Sequence, residues 1–310
     1  MSNFLKNLET SGFAKKKNIF SRHEIDDLES ITHRIITKEK IINEKVVQSN
    51  IINQGVNYYD NTHNTLTFFN TIVRNFLGVD KKLDILVSKL LSNEDIKNYL
   101  IKTLGNNYKI NTCALRAGDE NSNYLGLHTD NNYQFTFSVF CNKVNSNDYT
   151  TLFLPGSHKF AYSFRNSIEK INPNFFKFLL KRSFGEVGDI VSFFNKTMHG
   201  VQKNKYQKNK SIVMLLAFHK DSDRNAKSLI LPQKTLYQEN FENVFSHDVL
   251  KLFEKKENSR NYLLDTKENL IDKINKKNSL NIKLKFYYYF FRLIKLTLSI
   301  LVSTYRFLKN

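Results

Sequence analysis

Length, composition and charge describe a folded, strongly basic protein. The chain has 310 residues, of which 41% are hydrophobic and 13% aromatic, which supports a large buried core and excludes a wholly disordered chain. Lys and Arg number 47 against 29 Asp and Glu, a formal net charge of +18. Such an excess favours anionic partners, namely lipid headgroups, nucleic acid or phosphorylated small molecules, unless it serves solubility alone.

Cysteine usage bears on the compartment. Cys113 and Cys141 are the two cysteines of the chain, too few for a disulfide framework and without the spacing of a zinc site. Both fall in strand-like stretches, so we expect buried free thiols. The first 17 residues contain no continuous apolar run of signal-peptide length. Together these features predict a reducing, cytoplasmic location.

Helical patterns dominate the first hundred residues. Ser21 and Glu24 have the spacing of a capping box, with Phe20 and Ile25 at the staple positions around it. They predict a helix that begins near residue 22. Apolar residues at helical spacing predict three further helices, at Thr65–Phe76, Lys81–Leu91 and Asn93–Leu100.

From about Tyr108 the pattern changes to that of an antiparallel sheet, with short runs of Val, Ile, Phe and Thr between turn residues. Strands are predicted at Gln134–Val144, Asp189–Phe194 and Ser211–Phe218. The first alternates apolar and polar residues, and the last is apolar enough for a sheet covered on both faces. Between them lies an insertion with a helical stretch at Phe175–Leu180. We therefore expect an α+β protein, mainly β, with a sandwich or barrel and helices packed outside it.

The C-terminal region returns to a helical pattern and is basic. Residues 273–310 contain nine Lys or Arg and no Asp or Glu. Within residues 285–306, Arg292, Lys295 and Arg306 share one helical face, which predicts an amphipathic helix rather than a membrane span. Such a helix can lie on an anionic membrane, on a partner subunit or on the sheet of its own chain. The first of these would make the protein peripheral at the inner face of the membrane.

Three residues form a candidate metal site. His128 and Asp130 point the same way if this stretch is extended, because residues i and i+2 share a face of a strand. His199, on a later strand, would add a second imidazole. Two imidazoles and one carboxylate occupy one face of an octahedral Fe(II) and leave three positions open. Alone, the H-x-D pattern is weak, since a chain with eight histidines can contain it by chance.

Four stretches strengthen this interpretation by occurring in a fixed order. They are Leu8–Leu28, with a Gly-Phe step before a capped helix; LGLHTDNN around His128; LFLPGSHKF at Leu152–Phe160; and GEVGDIVSFFNKTMHG at Gly185–Gly200. As an ordered set they resemble the phytanoyl-CoA dioxygenase family of Fe(II)- and 2-oxoglutarate-dependent oxygenases. The resemblance covers about two thirds of the chain.

The resemblance implies a double-stranded β-helix, the jelly-roll or cupin-like barrel, at about residues 107–220. This barrel would lie within an oxygenase domain of residues 1–240, with N-terminal helices on the sheet and a basic helical extension at 241–310. It also implies Fe(II) bound by His128, Asp130 and His199, with 2-oxoglutarate and O2 as co-substrates. Members carry a basic residue about eleven positions after the second histidine, which pairs with the far carboxylate of 2-oxoglutarate.

That position is Lys210 here, where the family more often has Arg with its bidentate fork; a solvated loop lysine is the alternative. Two residues on the strand before the metal motif, Asn111 and Arg116, lie on opposite faces of a regular strand. At most one of them can therefore face the cofactor. His158, in the Pro-Gly-Ser-His turn, is interpreted as structural.

The function implied is hydroxylation of an aliphatic C–H bond in a small-molecule or lipid-linked substrate, with release of succinate and CO2. Asp130 favours hydroxylation, because halogenating relatives lack this carboxylate. The basic C-terminal region favours an anionic substrate or a membrane surface over nucleic acid. Two alternatives remain at this stage: a cupin-type metal barrel with non-oxidative chemistry, and a membrane-binding module on an inactive oxygenase scaffold.

Overall fold

The structure is a computed structural model that describes residues 3–17, 19–36, 57–60, 71–120, 122, 124–130, 135–169, 171–202, 210–223, 228–231, 235 and 237–254. The helix predicted at residues 285–306, with most of the extension predicted at 241–310, lies outside these residues. Within them, no helix combines the length and the apolar character needed to cross a bilayer.

Eleven strands form two antiparallel sheets in the described part of the chain. They are β1 (Phe13–Lys16), β2 (Asn57–Asp60), β3 (Thr71–Arg74), β4 (Tyr108–Gly118), β5 (Leu125–His128), β6 (Phe135–Phe140), β7 (Thr150–Phe153), β8 (Lys181–Arg182), β9 (Ile190–Phe194), β10 (His199–Gln202) and β11 (Ser211–Lys220). The larger sheet has the order β1-β9-β6-β11-β4-β3-β2, and the smaller has β5-β10-β7-β8.

The path of the chain from β4 to β11 identifies the barrel. Strands β4, β6, β9 and β11 belong to the larger sheet, while β5, β7, β8 and β10 belong to the smaller one, so the chain crosses repeatedly between two facing sheets. This is the double-stranded β-helix that the sequence predicted, and in the described residues its strands run from β4 to β11.

Six α-helices accompany the sheets among the described residues: α1 (Asn3–Ser11), α2 (Arg22–Ile36), α3 (Lys81–Ser92), α4 (Glu94–Leu104), α5 (Tyr162–Ile168) and α6 (His247–Leu250). Their starts follow local chemistry. The Glu24 carboxylate accepts from the backbone N–H of Ser21 at 2.7 Å, Asp80 caps α3, and Asn93 caps α4. The helices predicted from residue 22, at Lys81–Leu91 and at Asn93–Leu100 are confirmed.

Two helical predictions are wrong. Of the stretch Thr65–Phe76, residues 65–70 lie outside the described residues, and residues 71–74 form strand β3. This strand pairs antiparallel with β4 through Ile72 and Arg116, and the pairing outweighs the local helical pattern. The stretch Phe175–Leu180 is not an α-helix either. A 3-10 helix covers Pro173–Phe176, and a turn follows it. This short helix packs against β5 and β10 of the smaller sheet.

The main core lies on the outer face of the larger sheet, where the helices pack. On β6 and the residue after it, Phe135, Phe137, Val139 and Cys141 contribute to this core, as their alternation predicted. Strand β11 adds four apolar residues to the same face, namely Ile212, Met214, Leu216 and Phe218. Cys113 and Cys141 are buried free thiols, as predicted, and burial raises the pKa of both. The opposite faces of these strands are thereby left to line the interior of the barrel.

One buried carboxylate in the helical layer ties a distant segment to α3. Asp84 is fully buried and accepts hydrogen bonds from the Tyr237 hydroxyl at 2.7 Å and from the backbone N–H of Gly78 at 2.9 Å. Burial raises its pKa from 3.8 to about 7 against the opposing effect of these bonds. The folded protein therefore holds a proton that the unfolded chain releases.

We expect this proton to make stability depend on pH. Between pH 4 and pH 7 the folded state binds one more proton at Asp84, so this contribution to stability is present at the acid end and is lost as the pH rises to about 7. Its slope is at most about 1.4 kcal/mol per pH unit. Urea unfolding of wild type and Asp84→Asn from pH 5 to 7.5 should show stability falling with pH relative to the variant. Parallel curves would contradict the raised pKa.

Candidate metal centre

The three predicted ligands come together where β5 pairs with β10. His199 lies directly opposite His128 in this antiparallel pair, and Asp130 follows His128 by two residues. The Nε2 atom of His128 is 3.6 Å from Asp130 Oδ1, and that of His199 is 3.4 Å from Asp130 Oδ2. One ligand atom from each residue lies within 4.8 Å of the others. One metal ion can therefore contact all three.

Both imidazoles are oriented by backbone carbonyls. Nδ1 of His128 donates to the carbonyl of Gly126 at 2.9 Å, and Nδ1 of His199 donates to the carbonyl of Thr197 at 2.9 Å. Because a carbonyl can only accept, the proton of each neutral ring is on Nδ1 and the Nε2 lone pair is free for a metal. Both of these lone pairs lie beside the Asp130 carboxylate, which fits the donor set of a divalent metal.

Asp130 is held by a residue that sequence reasoning missed. Its backbone N–H donates to the carbonyl of Asn195 at 3.1 Å. The buried Asn195 side chain accepts from the Thr136 hydroxyl at 3.0 Å, which ties it to β6. Asn195 stands four residues before His199, so one short segment between β9 and β10 positions two of the three candidate ligands. Its place inside the GEVGDIVSFFNKTMHG stretch was the available signal.

The electrostatics of the cluster favour the charged form of the carboxylate. Burial opposes ionisation of Asp130, but the neighbouring imidazoles of His199 and His128 hold its pKa well below the usual range. Burial also opposes protonation of His128, yet the hydrogen bond and charge of Asp130 raise its pKa above the ordinary value. Asp130 therefore stays ionised beside the two imidazoles, as a carboxylate ligand of a cation must.

A cavity of about 90 Å³ opens beside the three residues, between the two sheets. The ring of Phe193, which lines the cavity, lies 5.0 Å from the His199 ring, and that of Phe153 packs on the same imidazole at 6.2 Å. Tyr149 also lines the cavity, and the missing side chain of Gly118 makes room for it, since a Cβ there would meet the Tyr149 ring at 2.3 Å. The cavity is thus apolar around the ligands and polar at specific points.

Arg116 is the only Lys or Arg among the described residues that line this cavity. It lies on β4 directly opposite Val213 of β11, which also lines the cavity. Its charge acts on His128 and on Tyr149, where it opposes the increase in the Tyr149 pKa caused by burial. Of the two candidates on this strand, Arg116 is therefore the one that faces the interior.

Asn111 and Lys210 lie elsewhere. Asn111 is the extra residue of a β-bulge, since Thr112 pairs with Ala217 and Ile110 pairs with Phe218. Lys210 immediately precedes β11 and is absent from the residues that line the cavity, whereas Ser211 is among them. The Lys210 carbonyl accepts from the Asn142 side chain at 2.6 Å. The structure therefore places Lys210 beside the barrel wall and outside the lining of the cavity.

His158 lies outside the metal cluster and packs against the N-terminal segment. Its Nε2 contacts the carbonyl of Glu9 at 3.1 Å, and its ring stacks on Phe194 with 5.4 Å between centroids. Gly12, at a φ of +85°, has no side chain because a Cβ would meet His158 Nδ1 at 2.5 Å. The contacts agree with a structural role for His158, as the sequence suggested.

Comparison with known proteins identifies similar folds. The chain matches no family model and no curated protein. Among solved structures it is similar to EctD from S. alaskensis (12% identity, TM-score 0.53, covering 82% of this chain and 88% of that one). It is also similar to HygX from Streptomyces hygroscopicus with nickel and 2-oxoglutarate bound (13%, 0.51, 77% and 94%). A third is SnoK, described as a non-heme alpha ketoglutarate dependent carbocyclase (14%, 0.50, 70% and 83%). At these identities the likeness establishes the fold, and the phytanoyl-CoA dioxygenase family in particular stays a prediction.

We expect the cluster to bind a divalent metal through all three side chains. Calorimetric titration of the apoprotein with Co(II) should give one site per chain. Asp130→Ala and His199→Ala should each weaken it by more than the 10- to 100-fold that loss of an outer partner typically costs. His23→Ala, which changes an exposed histidine on α2, serves as the control. Co(II) binding to Asp130→Ala at wild-type affinity would remove Asp130 from the site.

Proposed function

We propose that this protein is an Fe(II)- and 2-oxoglutarate-dependent dioxygenase that hydroxylates an aliphatic C–H bond of a small-molecule or lipid-linked substrate. The observation that carries the proposal is that one ligand atom from each of His128, Asp130 and His199 lies within 4.8 Å of the others inside a double-stranded β-helix. HygX, which shares this fold, has been solved with nickel and 2-oxoglutarate bound. The resemblance of the sequence stretches to 2-oxoglutarate oxygenases supports the same reaction class.

Individual residues around the cavity would have distinct roles in this reaction. His128, Asp130 and His199 would hold Fe(II) on one face, and the iron with 2-oxoglutarate and O2 supplies the oxidising chemistry that yields succinate and CO2. Phe193, which lines the cavity, and Phe153 both pack on the His199 ring and would keep water from this imidazole. Asp130 supports hydroxylation over halogenation, because its carboxylate would occupy the metal position that a halide would need.

The far carboxylate of 2-oxoglutarate needs a cation within the cavity. The sequence assigned this role to Lys210, but position favours Arg116, which lines the cavity while Lys210 does not. A guanidinium can also bind a carboxylate through two parallel hydrogen bonds. With Arg116 present, the charges of Fe(II), Asp130, Arg116 and a doubly anionic 2-oxoglutarate cancel, which is what a buried cluster requires. We therefore propose Arg116 as the anchor of the co-substrate.

The reaction class can be tested before any substrate is known. Under anaerobic conditions, Fe(II) and 2-oxoglutarate added together should produce the weak visible charge-transfer band of the chelate, and admission of O2 should then release succinate. His199→Ala should give neither signal. Tight metal binding with no band and no oxygen-dependent succinate would instead indicate a cupin-type barrel with non-oxidative chemistry. Absence of metal binding by the wild-type protein would indicate an inactive oxygenase scaffold.

The anchor can be tested by comparing two cations in one assay. Arg116→Gln should raise the apparent KM for 2-oxoglutarate about 10- to 100-fold, the value of a hydrogen bond to a charged group, with partial rescue by Arg116→Lys. Co(II) affinity should stay at the wild-type value, which separates loss of the anchor from loss of the metal site. Lys210→Gln is the matched control and should leave the KM unchanged. The reverse pattern would return the role to Lys210.

A further inference from the structure

A short basic and aromatic segment projects from the edge of the smaller sheet. We call residues 177–184 the basic aromatic tip; they read Lys-Phe-Leu-Leu-Lys-Arg-Ser-Phe. The tip follows the 3-10 helix at Pro173–Phe176 and includes β8, which is the outermost strand of that sheet. It lies outside the metal centre and contributes nothing to the lining of the cavity.

The base of the tip is firmly anchored. The backbone N–H groups of Leu179 and Leu180 both donate to the carbonyl of Phe176, at 2.8 and 3.2 Å, which closes a tight turn. Leu180 is buried in an apolar cluster with Leu152 of β7. Ser183 donates through its backbone N–H to the carbonyl of Thr151 at 2.9 Å. The outward side chains are therefore presented by an ordered backbone.

The apolar side chains of the tip face solvent. Phe178 is 83% exposed, the highest value for any large hydrophobic residue in the described part of the chain, and Leu179 and Phe184 are each 48% exposed. A single exposed apolar residue needs no explanation, since such residues are common on protein surfaces. Three large ones within eight residues, next to buried neighbours that hold the turn, indicate a surface that meets an apolar environment.

The charged residues within the tip are all positive. The tip contains Lys177, Lys181 and Arg182 and no Asp or Glu. Lys177 and Lys181 are exposed and form no ion pair with a described residue. Arg182 donates to neutral oxygens, those of Ser146, Asn147 and Gln202, and pairs with no carboxylate in the part of the chain that the structure describes. The tip thus combines exposed apolar groups with uncompensated cations.

We propose that the basic aromatic tip inserts into the interface of an anionic phospholipid membrane. Phe178 and Leu179 would enter the boundary between headgroups and acyl chains, while Lys177 and Lys181 remain among the anionic headgroups. A protein partner fits less well, because stable interfaces bury about 800 Å² on each side and are depleted in lysine at their centre. The net charge of +18 adds attraction of the same sign.

The absence of Trp from the sequence permits a direct test on the full chain. Phe178→Trp places the sole tryptophan at the exposed position, and Ile85→Trp, on α3 at 46% exposure, is the matched control. With phosphatidylglycerol vesicles we expect a blue shift of the Phe178→Trp emission and quenching by brominated lipid, with neither change for Ile85→Trp. Vesicles of phosphatidylcholine alone should give a much smaller shift.

Two further variants assign the effect to the tip. Phe178→Ser should weaken partitioning to anionic vesicles about tenfold, the value of burying one large apolar side chain. The double variant Lys177→Gln, Lys181→Gln should weaken it at least about tenfold, with a reduced dependence on salt. Unchanged emission of Phe178→Trp at lipid excess overturns the proposal even if the protein sediments with vesicles, since another segment is then responsible. A blue shift that depends on protein concentration in the absence of lipid would assign the tip to protein association and would also overturn the membrane proposal.

None of these measurements involves iron or 2-oxoglutarate. Their outcome is therefore independent of the proposed catalytic function.

Discussion

The site depends on one antiparallel pairing, that of β5 with β10. Strand pairing fixes which side chains stand opposite each other, and here it places His199 opposite His128, while the segment after β9 holds the backbone of Asp130. The larger sheet, backed by the helical core, provides the rigid support for this arrangement. A slip of one residue between β5 and β10 would turn one imidazole out of the cavity. The strand pairing that stabilises the barrel therefore also fixes the geometry of the metal centre.

Much of this architecture follows from local sequence. Asp80 and Asn93 mark helix starts because their side chains accept from backbone N–H groups two or three residues later. At Ser21 the Glu24 carboxylate accepts from the Ser21 backbone N–H. The alternation from Phe135 to Cys141 marks a strand with two different faces. Strand β3 was missed because its formation depends on the free edge of β4, whose pairing residues are 40 to 46 positions further along the chain, and no local pattern shows that edge.

The candidate metal ligands could be predicted from the sequence, but the cation that faces the cavity could not. The H-x-D spacing and the ordered stretches were enough to select His128, Asp130 and His199, since that choice needs only strand periodicity and chain order. The choice between Arg116, Asn111 and Lys210 needs the face of each residue in the folded barrel. A bulge at Asn111 and the exact start of β11 decide it, and both are set by pairing between strands. Counting positions from His199 therefore led to Lys210, one residue away from Ser211, which does line the cavity.

The larger sheet also separates the two cysteines from the cavity. Cys113 and Cys141 belong to the core on the helical side, one backbone layer away from the cavity where O2 would react. Thiols are oxidised mainly as thiolates, and burial keeps the pKa of both high. Under the proposed oxygenase function, the larger sheet would separate both thiols from oxidants formed in the cavity.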